Sequence, residues 1–425
     1  MRRAMTSSQK IIAKAGGLSH VRAGDFVVVR PDLTMTYDPQ GGMLHKRLMQ
    51  NWPELKTVWN PDRFVLVADH FLDRGNQDHL NKQAELSAFA KAYRVQHFFP
   101  VGGANYGICH ALLPEEGFVR PGDLITATDS HSSTYGGFGA LGLNVGIDAL
   151  EGILAVGRHW MEMPAEVRIT ISGRFPKDVY AKDVILRLCA DLGNGHTVFG
   201  RGIELDGDAV QALHPEEKLT IANMAQELGA RWLIIPANDS VCRWVENLGV
   251  SGFEPQHPDS DAPYETVIAY RGEDFRPMVA LPGGPERAVS IDELPETRFN
   301  EVFVGSCTGA KRFDMETVID LIEADGGLAP GIKLMLVPAT RKIRDWMLTD
   351  ARFAKYLEAP DTELADDPGC NACAGLYGFI ADDKAIRMST ANRNYAGRMG
   401  APGAQVYLGS PAMAAMVATR GVIGA

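Results

Sequence analysis

Three cysteines have the types and surroundings needed for metal chemistry. Cys307 lies in Val304-Gly-Ser-Cys-Thr-Gly, while Cys370 and Cys373 form a C-x-x-C pair in Asp367-Pro-Gly-Cys-Asn-Ala-Cys-Ala-Gly. Each sits close to glycine in a predicted turn. Cys307 ends the apolar run Val302-Phe-Val-Gly and precedes a helix expected to start near Phe313, where free N–H groups favour an anionic sulfur. Three thiolates converging on one point can hold a metal. They are too few for a closed structural zinc site, which takes four ligands, and they suit an iron–sulfur cluster with one iron left open. The C-x-x-C taken alone reads equally as a redox pair or as incidental.

Acid–base candidates accompany them. Asp69-His70 follows Phe64-Val-Leu-Val-Ala, and Asp129-Ser130-His131 follows Leu124-Ile-Thr-Ala-Thr, which places two carboxylate–imidazole pairs at the carboxyl ends of predicted strands. Open α/β sheets bind ligands there. A carboxylate beside a histidine orients the ring and favours its protonated form, as a general acid requires; a structural hydrogen bond is the plain alternative. His110, in Gly107-Ile-Cys-His, is a third imidazole that by itself reads as a satisfied core residue. Asn223 and Glu227 are four apart in an expected helix and would share one face, as an exposed polar stripe also would. Arg393 and Arg398, in Asn392-Arg-Asn-Tyr-Ala-Gly-Arg, offer guanidinium forks for carboxylates, although surface arginines are common.

The elements that must carry these groups alternate between short β-branched runs and longer amphipathic stretches, the pattern of an α/β fold with mostly parallel sheets flanked by helices. Phe26-Val-Val-Val, Phe64-Val-Leu-Val, Asp123-Leu-Ile-Thr-Ala, Val302-Phe-Val and Lys333-Leu-Met-Leu-Val are the expected strands. The first helix is expected to be capped by Ser7 or Ser8 and to stop at Gly16-Gly17. A break falls near Met163-Pro164, and the Pro-, Asp- and Gly-rich stretch from Ser251 to Pro295 shows little periodicity and is expected to end in a linker. Three domains follow: 1–164, 165–290 and 291–425. Gly137-Phe-Gly-Ala-Leu-Gly142 fits G-x-G-x-x-G, but Asp-Ser-His-Ser-Ser-Thr-Tyr-Gly separates it from the preceding strand, so nicotinamide binding is set aside.

Composition agrees with a multidomain globular chain. The 425 residues are 45% hydrophobic and 22% charged, enough for more than one core. Two arginines near the start lack an apolar segment behind them, and no apolar run could span a bilayer, so a cytoplasmic protein without membrane partners is expected. The net charge of −11 argues against nucleic acid and would slow capture of an anion, so an acidic substrate would need local arginines. Six cysteines are too few for a disulfide scaffold. Cys189 and Cys242, inside amphipathic patterns, read as small core residues.

Taken in order, Gly107-Ile-Cys-His-Ala-Leu-Leu-Pro-Glu, Pro121-Gly-Asp through Asp129-Ser-His, Gly305-Ser-Cys-Thr, Pro368-Gly-Cys-Asn-Ala-Cys, and Asn392-Arg-Asn-Tyr-Ala-Gly-Arg-Met-Gly with Tyr407-Leu-Gly-Ser-Pro resemble the aconitase superfamily. Within it the chain is similar to the short large subunits of 3-isopropylmalate dehydratases and homoaconitases, along nearly its whole length. The resemblance implies that Cys307, Cys370 and Cys373 ligate one [4Fe–4S] cluster per large subunit, whose labile fourth iron binds the substrate's hydroxyl and carboxylate. It implies that Asp69 and His70 protonate the departing hydroxyl and that His110, Asp129, His131 and Glu227 surround the iron-bound water. Asn223 and Asn392 would support the cluster; Tyr37, Asp38, Ser130, Arg393 and Arg398 would contact the substrate.

The same likeness implies a hydro-lyase for a small branched 2-hydroxy di- or tricarboxylic acid, with 3-isopropylmalate first and homoaconitate, methylmalate or citraconate, and dimethylmalate behind it. Full-length relatives carry a further domain with a catalytic serine. A separate small subunit, in a heterodimer or heterotetramer, is expected to supply it here. Departures from the family pattern are Thr308-Gly309 in place of Thr-Asn, the Gly102-Gly-Ala-Asn-Tyr segment before Gly107, and Asn371-Ala372 inside the C-x-x-C. Loss of the amide at 309 is expected to alter cluster stability or potential. A cluster-sensing RNA-binding regulator and a silent scaffold are the rival readings; acidic charge and intact acid–base residues stand against them.

Overall fold

The computed structural model describes residues 4–375, 380 and 382–424; Met1–Arg3, part of the segment inspected for a leader, lie outside them. Three sheets dominate. The first is five-stranded and wholly parallel, in the order His97–Phe99, Phe64–Val67, Leu33–Tyr37, Leu124–Ala127, Leu141–Asn144. Phe64–Val67 and Leu124–Ala127 are buried at every position, because helices cover both faces of a parallel sheet. The second sheet, Trp232–Ile234, Gly202–Asp206, Glu166–Ser172, Thr266–Arg271, is also parallel.

The third sheet has seven strands. Gln405–Leu408, Ile386–Ser389, Glu301–Val304, Lys333–Leu336 and Thr362–Leu364 run parallel, and Met278–Ala280 and Ala288–Ser290 add antiparallel edge strands. Three strands therefore lie in the stretch expected to end as a linker: Thr266–Arg271 pairs with the second sheet, and the two edge strands pair with the third. The two three-residue strands are too brief to show a period of two, and Thr266–Arg271 hides it by carrying Val267 on the exposed face. Phe26–Val29 is a strand too, but it pairs antiparallel with His159–Glu162 in a separate ribbon and leaves Phe26 and Val28 exposed.

The first helix, Ser7–Gly16, is capped by Thr6 instead of Ser7 or Ser8. Thr6 accepts from the Gln9 N–H while Gln9 returns the bond, and Gly17 closes the helix in the left-handed region. The glycine-rich motif at 137–142 spans the end of a 3-10 turn, Ser132–Phe138, and the start of the strand Leu141–Asn144, and the turn packs against the helix Pro215–Asn223. Its contacts are structural: Ser133 Oγ donates to the Asn223 carbonyl at 3.2 Å, and Asn223 Nδ2 donates to Thr134 Oγ1 at 2.7 Å.

The first and third sheets meet where the backbones of Gly107 and Thr340 pair. Ile108 N–H donates to Ala339 O at 2.8 Å and Arg341 N–H to Tyr106 O at 2.9 Å. Gly107 has φ +150°, and a Cβ there would overlap the Ala339 carbonyl, so only glycine fits this crossing.

Candidate active site

Every chemistry-bearing segment singled out in the sequence, other than Asn223 and Glu227, follows a parallel strand of the first or third sheet or lies on the helix at their junction. Tyr37 ends Leu33–Tyr37, Asp69-His70 follow Phe64–Val67, and Asp129-Ser130-His131 follow Leu124–Ala127. Cys307 follows Glu301–Val304, Cys370 and Cys373 follow Thr362–Leu364, and Asn392-Arg393 follow Ile386–Ser389. His110 stands in the first turn of Cys109–Glu115. The carboxyl ends of two sheets thus face each other across one cavity of about 300 Å³. It is lined by Tyr37, His70, His110, Asp129, Ser130, His131, the three cysteines, Asn392, Arg393 and Arg398.

One wall is imidazole and carboxylate. Asp69 Oδ1 lies 2.7 Å from His70 Nδ1, and its Oδ2 accepts the Cys109 N–H at 2.9 Å. Burial alone would lower the pKa of His70, but Asp69 and then Asp38 outweigh it and lift it to about 9. Asp38 does not line the cavity: its carboxylate accepts the N–H groups of Asp69, His70 and Phe71, so it holds the turn instead of meeting a ligand. Burial beside Asp69 raises Asp38 to about 6 against the pull of His70. The Tyr37 ring meets His70 edge-on at 4.9 Å.

Deeper in the same wall, His110 Nε2 lies 2.7 Å from Asp129 Oδ1, which also accepts the His131 N–H at 2.8 Å. Burial would raise Asp129, yet His110 and His131 hold it far below the usual carboxylate range. Ser130 Oγ lies 3.4 Å from His131 Nδ1. Behind the cavity, Glu227 Oε1 is 3.0 Å from His131 Nε2 and accepts from Arg393 Nε at 2.7 Å. These partners overcome burial and keep Glu227 ionised. Asn223 is the last residue of its helix, so Glu227 reaches the site through the turns beyond it and not from a continuing helical face. Arg398 presents a buried Nε with no partner among the described residues, an opening for an anionic ligand.

The other wall is sulfur. Cys307 receives Asn223 Nδ2 at 3.1 Å and Asn392 Nδ2 at 3.4 Å, while Cys373 lies 3.4 Å from Asn392 Oδ1. Ser306 Oγ spans Cys307 at 3.7 Å and Cys373 at 3.5 Å. Cys370 is tied to the first wall, its N–H donating to Asp69 O at 2.9 Å, and ligand atoms of Asp69, His70 and Cys370 lie within 4.8 Å of one another. Burial, then the neighbouring Cys373, pushes Cys307 up to about 12. Two residues flanking cysteines hold positive φ, Ser306 at 72° and Asn371 at 45°, a strain tolerated where surrounding structure fixes it. Asn371 satisfies its unusual place in the C-x-x-C by donating to the carbonyls of Asp367 and Gly369.

The donor set fits an iron–sulfur cluster: Cys307, Cys370 and Cys373 share one cavity, amides and a hydroxyl reach the sulfurs of Cys307 and Cys373, and His110, Asp129 and His131 line the same space. Gly309 also has a local reason, since a Cβ there would overlap Thr390, whose hydroxyl stitches the Gly305 turn at 2.9 Å. Sequence reasoning missed Ser306 and the cavity-lining Cys109. Their only signal was adjacency to Cys307 and His110.

Residues 55–302 and 293–421 match the model of the Aconitase family (aconitate hydratase). This chain belongs to the aconitase family. It is an aconitase-type hydro-lyase, and membership implies an iron–sulfur cluster. The aconitase-family chain is similar to the 3-isopropylmalate dehydratase large subunit 1 of Methanopyrus kandleri, 32% identical over 98% of each. It is likewise similar to probable methanogen homoaconitase large subunits of Methanothermobacter thermautotrophicus, 32% identical over 99% of this chain and 97% of that one, and of Methanosarcina mazei, 34% identical over 87% and 92%. No helix among the described residues is long and apolar enough to cross a membrane.

Proposed function

We propose that this chain is the cluster-carrying large subunit of a dehydratase that shifts a hydroxyl between adjacent carbons of a branched 2-hydroxy acid, with 3-isopropylmalate as the leading substrate. The observation that carries the reading is the facing of three thiols and two histidine–carboxylate systems across one cavity. Cys307, Cys370 and Cys373 would hold a [4Fe–4S] cluster. When bound, it supplies a Lewis-acidic iron at the corner the cysteines leave open.

The chain's own residues supply the rest. His70, protonated through neutrality and held by Asp69 at Nδ1, is placed to give its Nε2-borne proton to a departing hydroxyl. Asp129, kept ionised between His110 and His131, and Glu227 behind His131 fix the two imidazoles as donors toward a bound hydroxyl or water. Arg398 and Arg393 would grip substrate carboxylate, the former through its unpartnered Nε. Tyr37 and Ser130 line the same cavity and would contact the substrate. Asn223 and Asn392 would support the sulfurs by N–H donation.

The relatives are named as large subunits, which supports a small partner subunit here, and that subunit would carry the base that removes the carbon-bound proton. A reducing, cytoplasmic setting belongs to the same reading, since the ligands act as thiolates. Similarity to homoaconitase large subunits at equal identity favours homoaconitate as the second substrate. The test is anaerobic reconstitution with iron and sulfide, with and without the small subunit, against malate and citrate analogues, following the ultraviolet absorbance of unsaturated acids. Turnover of isopropylmalate is expected with both subunits and a trace of it with one. A cluster-loaded pair that acts on none of these acids sinks the proposal.

A further inference from the structure

Behind the sulfur wall lies a lysine that none of the roles above uses. Lys182, in the first turn of Ala181–Leu192, is 1% exposed. Its Nζ donates to Thr308 Oγ1 at 2.8 Å, Thr390 O at 3.0 Å and Ala391 O at 2.7 Å. All three acceptors are uncharged, and they belong to the two turns that carry Cys307 and Asn392. A second buried lysine beside Cys307 shows the contrast: Lys311 Nζ donates to Asp314 at 2.7 Å and is neutralised there. An ammonium taken out of water and left with neutral acceptors is strongly unfavourable unless an anion lies close by. Burial pulls Lys182 down to about 8, with Lys311 adding to the fall and Cys307, Glu227 and Asp314 opposing it.

We propose that Lys182 is the buried counter-charge of the cluster site, a positioning residue that pins the Cys307 and Asn392 turns and favours retention of the anionic thiolate-bound cluster at a raised reduction potential. The assignment rests on the iron–sulfur reading of the cavity. A three-thiolate cluster carries net negative charge, and adding an electron makes it more negative, so a fixed neighbouring cation stabilises the reduced form more. It also explains why the cation lacks a carboxylate of its own: one would cancel the field at the sulfurs. A lysine serving only as mechanical glue would behave differently, because its removal would weaken the protein equally with and without cluster.

The experiment uses the full chain with its small subunit and three variants, Lys182→Met, Lys182→Arg and Thr308→Val, each reconstituted anaerobically. Midpoint potential is read by redox titration, cluster loss by decay of visible absorbance under a chelator, and melting temperature with and without cluster. Lys182→Met is expected to have a more negative potential and to lose its cluster about tenfold faster, the scale of lost support around a metal site. Its cluster-free form should melt no lower than the wild-type cluster-free form, whereas its loaded form melts lower. Lys182→Arg should stay near wild type, and Thr308→Val should fall between.

Equal melting losses in both forms with an unchanged potential would overturn the assignment, as would a Lys182→Arg variant as impaired as Lys182→Met. If Lys182→Met does not fold, Thr308→Val decides: faster cluster loss at an unaltered cluster-free melting temperature supports the role, and unaltered loss refutes it. A wild-type protein that takes up no cluster removes the iron–sulfur reading itself and this assignment with it.

Discussion

The two walls of the cavity are finished in different ways. On the imidazole wall each histidine already has a carboxylate partner within normal bonding distance: His70 with Asp69 and His110 with Asp129 at 2.7 Å, His131 with Glu227 at 3.0 Å. On the sulfur wall the contacts are longer, 3.1–3.7 Å, and burial pushes Cys307 and Cys370 toward their protonated forms. The first wall is preorganised by the fold alone. The proposed cluster would complete the second, taking the place of protons on its sulfurs. Acid–base geometry and cofactor loading are therefore separable properties of this chain.

The largest expected effect breaks that separation from the sulfur side. Cys370→Ser should abolish the visible chromophore after reconstitution, and activity with it, while far-ultraviolet circular dichroism of the cluster-free protein is unaltered. His70→Ala attacks the other wall. It should retain the chromophore and lower kcat by roughly 10²–10⁴-fold, the usual contribution of a general acid. Loss of colour in that variant would mean that His70 serves the cluster and that the walls are not independent.

Acidity sharpens the comparison further. His70 is raised above its ordinary 6.5 to about 9, so the proton stays on through neutrality and leaves as pH rises past about 9. Dehydration rate is expected to hold steady between neutrality and that point and to decline above it, a limb absent from the residual rate of His70→Ala. The stabilisation from the charged pair with Asp69 follows the same sign: complete below 6.5, lost as pH climbs through about 9. A decline centred near the ordinary histidine value would show that Asp69 does not govern the ring. The smallest effect concerns Gly309. Installing the family's asparagine, Gly309→Asn, forces an overlap with Thr390 and should cost about 1–3 kcal/mol in urea unfolding, as overpacking does.

Most of this site was legible because its residues are short-range in kind: a carboxylate next to a histidine, or a cysteine between glycines, directly after a strand-like run. Parallel strands deliver such turns to one edge whatever their order. What escaped notice depends on long-range packing. Glu227 was expected on a helix continuing past Asn223, yet the helix stops there and turns carry the carboxylate inward. Asp38 read as a ligand contact and is consumed by three backbone donors from a segment thirty-odd positions away in sequence. Met278–Ala280 and Ala288–Ser290 are too short to show alternation, and Thr266–Arg271 alternates in burial but places the apolar Val267 on its exposed face. Lys182 looks like any helical lysine until the third sheet closes over it.

The crossing at Gly107 and Thr340 has a mechanical consequence. Ile108, Cys109 and His110 follow it directly, while Ala339 donates to Ala310, just past Cys307, at 2.9 Å. The main chains are in contact there, with no side chain between them to act as a cushion, so the imidazole and sulfur banks cannot rock apart at that seam. His70, across from that seam, also borders a broad vestibule of about 920 Å³ edged by Arg74, Arg341 and Arg344.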